Sequence, residues 1–184
     1  MTRATCILIV VTVAGLALTG CARAAGEAFE AFRGAKGIYV PIVPVAETKE
    51  ARPLGQYTRF ELGEIQDAFG GSVPPELFRQ LPAKFAEEIE KAKLPNDPSG
   101  KTLLVRGKIY HYEDEGLVGM MLGPLEEVVA RIELVDKDSG RVIGVANCIG
   151  RTTKAAGKGV PKKAEGLARA IVSWIKSGYP EPEK

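Results

Sequence analysis

The chain has one histidine and three cysteines, so the residues able to do chemistry are few and easily placed. His111 is followed by Glu113, Asp114 and Glu115, a cluster that would suit a metal or an acid–base pair. A single His beside acids at a strand end reads more simply as an ordinary side chain. None of Ser72, Ser99, Ser139, Ser173 or Ser177 stands in a G-x-S-x-G turn, the elbow that activates a serine nucleophile. Cys148 lies inside VIGVANCIG, an aliphatic run in which a thiol is buried and inert. Tyr110 and Tyr112 with Arg106 and Lys108 would stack on sugar rings or make a plain exposed sheet face, and the second fits better. Arg151, Lys154, Lys158, Lys162 and Lys163 form a basic run, with Gly157-Lys158-Gly159 just before a helix start that favours anions. The run is not a phosphate-binding P-loop, because Thr152 stands where its first Gly belongs and Gly159 where its Ser/Thr belongs. It reads as a solvated basic loop and a candidate anion site. No catalytic residue, metal set or cofactor site is expected.

Cys21 has the clearest chemical position. Met1–Thr5 carries one charge, Arg3, before the uncharged run Cys6–Leu18, which is shorter than the roughly 20 residues a spanning helix needs. The run closes on Leu18-Thr19-Gly20-Cys21. Small residues before the cysteine let a membrane peptidase reach the bond, and the thiol is the nucleophile that accepts a lipid. This stretch resembles the lipobox of bacterial lipoproteins. The resemblance implies cleavage before Cys21, a diacylglycerol thioether on its sulfur, and acyl chains such as palmitate. Two or more chains give durable anchoring where one is marginal. Ala22 stands where lipoproteins kept at the inner membrane often have Asp, so the resemblance implies the outer membrane. Residues 1–20 are then the signal peptide, and 21–37 the lipidated Cys and a tether able to reach about 50 Å. Residues 38–178 form a single periplasmic domain, and 179–184 a loose tail.

Composition bounds the rest. In 184 residues, 45% are hydrophobic and 26% charged, values of a globular chain and not of a disordered one. A net charge of +2, from 25 basic and 23 acidic residues, excludes the field of a dedicated nucleic-acid binder. Cys6 leaves with the signal and Cys21 carries lipid, so no internal disulfide is expected.

Hydrophobic spacing then supplies the elements. Ile38–Val45 reads as a strand that Pro41 and Pro44 keep short, bulged or at an edge. Tyr57–Leu62 reads as a short strand and Gly63–Phe69 as a helical turn. Phe78, Leu81, Phe85, Ile89 and Ala92 make a helical stripe, regular from Pro82 onward with a short turn ahead of it. Lys101–Glu113 is a long strand with Leu103, Val105, Ile109 and His111 on one face, and Arg106, Lys108, Tyr110 and Tyr112 on the other. Glu126–Asp136 and Arg141–Gly150 form a hairpin turning on Asp138-Ser139-Gly140. Ala164, Leu167, Ala168, Ile171, Trp174 and Ile175 form a last helix, closed by Lys176, Gly178 and Pro180. Between the long strand and the hairpin, Leu117, Val118, Met120, Met121 and Leu122 stand among glycines with no charge. That stretch is a candidate loop for docking on a partner or a membrane, or else a buried connection. The fold class expected is α+β: a mixed, mostly antiparallel sheet of about four strands with two helices on one face. Its first strand, first helix and long strand would form a crossover.

This order, with IYVPIVPV, LLVRGKIYHYE and ELVDKDSGRVIG, resembles a group of bacterial envelope lipoproteins of unknown function. That group is distantly similar to the periplasmic domain of the curli-secretion lipoproteins. The resemblance implies an envelope location and this fold. It does not extend to pore formation, since the long amphipathic hairpins that insert in the membrane are missing here. The expectation is a non-enzymatic binding or assembly subunit, held to the membrane through Cys21 and meeting an envelope protein partner. The alternative is a subunit of an oligomeric envelope secretion or channel complex.

Overall fold

The computed structural model describes residues 35–45, 53–113, 126–152 and 159–180. Five strands form one mixed sheet: β1 (Ala35–Val43), β2 (Arg59–Asp67), β3 (Thr102–Tyr112), β4 (Glu127–Asp136) and β5 (Val142–Thr152). Two helices, α1 (Pro75–Lys91) and α2 (Val160–Ser177), pack on one face, and a 3-10 turn (Pro53–Gln56) precedes β2. The strand order is β1-β5-β4-β3-β2, and only β2 and β3 run parallel.

The expected α+β class holds, with one more strand than the sequence suggested. The addition is β2. It runs through Arg59–Asp67, where a short strand and a helical turn over Gly63–Phe69 were expected. Its register with β3 shifts between Leu62 and Ile65, which breaks the alternation a strand normally displays. The crossover therefore joins β2 to β3 through α1, as parallel strands require a long connection. β1 instead pairs antiparallel with β5, from Ala35 against Thr152 to Val43 against Val145. It is the bulged edge strand expected from its prolines, but it begins at Ala35, so the last residues of the expected tether are strand.

α1 starts at Pro75, where the missing N–H of a proline costs nothing, and it continues through Pro82 instead of beginning there. Leu77, Leu81, Phe85 and Ile89 are buried in the same core as Leu103, Val105 and Ile109 of β3. In α2 every member of the expected stripe is buried, from Ala164 to Ile175. Full burial of one such Leu or Ile contributes about 1.5–3 kcal/mol, so these stripes fix the helices on the sheet. Arg169 of α2 clamps the layers together. Its Nε lies 3.4 Å from Glu88 of α1, its Nη2 lies 2.7 Å from Glu165, and Nη1 donates to the carbonyl of Ala35.

Candidate functional site

One end of the sheet gathers every chain segment that the sequence marks for function. Ala35, the first residue of β1, faces Thr152, the last of β5. Arg151 faces Glu127 near the start of β4, and Tyr112 at the end of β3 faces Val128. Thus the tether, the apolar stretch between Glu113 and Glu126, and the basic stretch between Thr152 and Gly159 all join the fold along one row. The residues themselves lie outside the described residues: Cys21, Leu117, Val118, Met120, Met121, Leu122, Lys154 and Lys158.

A buried lysine ties this row together. Lys163, in the first turn of α2, is fully buried. Its Nζ lies 3.4 Å from Glu126 Oε2 and 4.2 Å from the centre of the Tyr112 ring, and it donates to the Glu113 carbonyl. Glu126 Oε2 also accepts the N–H of Gly159 at 3.1 Å. One ammonium thereby joins the end of β3, the start of β4 and the beginning of α2. Lysine is almost never fully buried without such partners. The other described members of the basic run face acids: Arg151 Nε is 2.9 Å from Glu127, and Lys162 Nζ is 2.7 Å from Glu165. Lys163 thus presents no charge to solvent, and among the described members of the run Arg151 and Lys162 are the partly exposed ones.

Tyr112 reaches Lys163 because the backbone changes face. The β3–β4 register shifts between Ile109 and His111, so Tyr112 pairs with buried Val128 while His111 pairs with Val129. The bulge reverses the expected faces: Tyr112 packs against the core and His111 is exposed. His111 Nε2 lies 4.0 Å from Glu127, the carboxylate that Arg151 already holds. Among the described residues no group of His, Cys, Asp and Glu converges as a metal site. Cys148 is buried on the core side, and burial pushes its thiol up, which leaves it protonated and unreactive at neutral pH.

The face of the sheet away from the helices is open and ionic near β3. Tyr110 is exposed, with the Arg131 guanidinium 5.4 Å from its ring centre. Arg106 Nε donates to Glu133 at 2.9 Å. The cation that covers the ring occupies the place where a sugar would stack. Toward the free edge this face becomes apolar, with Val40, Ile42 and Val43 of β1 about half exposed.

The opposite end holds a polar cluster that the sequence did not reveal. Asp136 Oδ2 lies 2.6 Å from Lys101 Nζ and accepts the Tyr57 hydroxyl at 2.9 Å, while Oδ1 accepts the Ser139 N–H at 3.0 Å. Tyr57 is fully buried. The Lys101 ammonium first, and the Ser139 N–H next, hold the Asp136 carboxyl well below the usual carboxylate range. Burial, followed by the bond to Asp136, pushes the Tyr57 hydroxyl up. This cluster closes the β4–β5 turn and pins the segment before β2. In the unfolded chain Asp136 titrates near ~3.9, above its folded value. Its contribution is therefore complete above that pH and is lost as pH falls toward the lower folded value. We expect the urea midpoint to drop between pH 5 and about pH 2, and Asp136→Asn to flatten that drop. An unchanged slope in Asp136→Asn would remove Asp136 as its source.

No family model matches the chain, and no curated protein matches it. Among solved structures, the chain is similar to a PelC dodecamer variant from Paraburkholderia phytofirmans, at 14% identity and a TM-score of 0.48, covering 76% of this chain and 97% of that one. It is also similar to a second crystal form of that PelC dodecamer, at 12% identity and a TM-score of 0.44, covering 77% and 97%. A PDZ domain protein from Parabacteroides distasonis matches at 11% identity and a TM-score of 0.40, covering 81% of this chain and 38% of the other. Likeness at this level carries no residue role across. Among the described residues no helix is long and apolar enough to cross a membrane.

Proposed function

We propose that this chain is a lipid-anchored lipoprotein of the bacterial outer membrane, facing the periplasm and acting as a non-enzymatic binding or assembly subunit. The observation that carries this reading is the export segment ending in Leu18-Thr19-Gly20-Cys21. The fold supports it in one further respect. The segment from Cys21 joins at Ala35, in the row where the apolar and basic stretches also leave the sheet. An anchor there puts the junctions of both stretches on the membrane side and leaves the open sheet face free for a protein partner.

The test is Cys21→Ser in the native host. The parent protein is expected in the membrane pellet with a lipid-modified amino terminus by intact mass. The variant is expected to lose essentially all of that membrane fraction, since the attached chains supply the anchoring. An unmodified Met1 terminus in the parent would end the reading.

The second reading, a subunit of an oligomeric envelope secretion or channel complex, is favoured by the exposed apolar row Val40, Ile42 and Val43. Mass photometry of the detergent-extracted protein decides it: a monomer at every concentration removes the complex.

A further inference from the structure

The open face of the sheet carries its charges in cross-strand rows set by the register. On one row Arg106 of β3 faces Glu133 of β4 at 2.9 Å, with Gly63 and Glu64 of β2 on its other side. On another, Arg151 of β5 faces Glu127 of β4, again at 2.9 Å. The row between them is different. Gln66 of β2 faces Lys108 of β3, Lys108 faces Arg131 of β4, and Arg131 faces Asn147 of β5. Two cations stand side by side there, with an amide at each end and no carboxylate in the row.

Like charges directly opposite on neighbouring strands are destabilising, because their Cβ atoms stand only about 5 Å apart. Both cations are exposed, and among the described residues none of the four side chains makes a hydrogen bond or an ion pair. Arg131 is held all the same. Its guanidinium lies 5.4 Å from the centre of the Tyr110 ring, which fixes where it points. Gln66, Lys108, Tyr110 and Arg131 line an open groove of about 540 Å³, whose two carboxylates, Glu64 and Glu133, stand on the Arg106 row. The cations on either side are neutralised and this pair is not. The vacancy in its charge balance fits an anion that comes from outside the chain.

The side chains of the row select the anion. A carboxylate brings one charge to two cations. A phosphate monoester brings about −1.5 to −2 near neutral pH, and its three terminal oxygens reach side chains rooted on adjacent strands. Lysine meets it as a point charge and arginine as a fork of donors, while the neighbouring amides add neutral N–H groups. We propose that Lys108 and Arg131 form a binding site for a phosphate monoester on the open sheet face, with Gln66 and Asn147 as flanking donors. The site goes beyond the anchored-subunit reading and does not depend on whether Cys21 carries lipid.

The test is a nitrogen–proton NMR titration of the whole protein in dodecyl maltoside, a detergent with no phosphate of its own, at constant ionic strength. Inorganic phosphate is expected to shift the amides of Lys108, Arg131 and Asn147, with a Kd on the order of millimolar. Lys108→Gln is expected to weaken that binding about tenfold, the loss of one charge-assisted bond, and Lys108→Arg to keep it. Acetate at equal concentration is expected to move these amides little. In chloride alone, Lys108→Gln is expected to unfold at the same urea concentration as the parent or a higher one, because the repulsion is gone. Equal phosphate shifts in Lys108→Gln, equal shifts from acetate, or a lower urea midpoint in Lys108→Gln overturn the proposal. Glycerol phosphate and phosphatidic acid doped into the micelle then identify the source. Binding of the first means a soluble phosphomonoester, binding of the second alone means a lipid headgroup, and binding of neither overturns the site.

Discussion

Gly150→Ala is expected to destabilise the protein by about 3 kcal/mol, a drop of about 10 °C in Tm for a domain of this size. At Gly37, Gly150 and Gly166 the backbone of helix α2 meets that of β1 and β5 with no side chain between them. A Cβ at Gly150 would stand 2.7 Å from the Lys163 carbonyl oxygen and 2.9 Å from the Gly166 carbonyl carbon, with the Leu167 nitrogen closer still. All three are backbone atoms of a helix held along its length by buried Leu167, Ile171 and Ile175, so none can move alone. The contact is mutual, since a Cβ at Gly166 would meet the Lys36 carbonyl oxygen at 2.9 Å and Gly150 Cα at 3.0 Å. Gly140, in the β4–β5 turn, is the control. It has φ of 69° and open space around it, so Ala there costs about 1–2 kcal/mol of backbone strain alone. Urea midpoints at constant m compare the two, and a Gly150→Ala loss no larger than that of Gly140→Ala would refute the close approach.

Lys163→Met is expected to cost about 3–5 kcal/mol, because it leaves the Glu126 carboxylate buried without its ammonium. Glu126 keeps the Gly159 N–H, which does not neutralise its charge. The double variant Lys163→Met with Glu126→Gln removes both charges and preserves volume. It is expected to recover more than half of the single loss. Urea unfolding of the four chains of this cycle gives the coupling directly. Additive losses would mean that the two groups act independently, and the row of loop junctions would then lack its proposed tie.

Much of the architecture was legible because several elements bury one face with a regular period. The α2 stripe from Ala164 to Ile175, the α1 stripe around Leu81 and Phe85, and the β4–β5 hairpin all stand where spacing and turn residues put them. β2 was hidden for a physical reason. Its register shift and its place at the sheet edge leave Glu61, Gly63 and Glu64 among its apolar residues, so no alternation survives. A bulge also defeated period-two counting in β3, where His111 and Tyr112 exchange faces. The partner of β1 depends on a residue more than a hundred positions away, and no local pattern encodes that. The close approach of Gly37, Gly150 and Gly166 is equally silent, because a glycine carries no side chain to count.

The site was legible in its parts and not in its arrangement. The basic run was seen, but proximity in sequence does not tell which cation turns inward. One signal was available: Lys163, Leu167, Ala170 and Trp174 recur at helical spacing, which puts Lys163 on the apolar stripe of α2. Tyr57, Lys101 and Asp136 come from three distant segments, and only the folded sheet gathers them.

The β1–β5 pairing has a kinetic corollary. A chain that emerges amino end first, from ribosome or translocation channel, releases β1 long before β5 exists to receive it. Closing a loop of over a hundred residues is slow next to zipping the β4–β5 hairpin, so β1 is the last strand to be claimed. During that interval its apolar row is unguarded, and Pro41 and Pro44 each withhold an amide that a stray strand would need. The two prolines therefore act as a delay-tolerant stopper, protecting a waiting strand from aggregation until its rightful neighbour arrives.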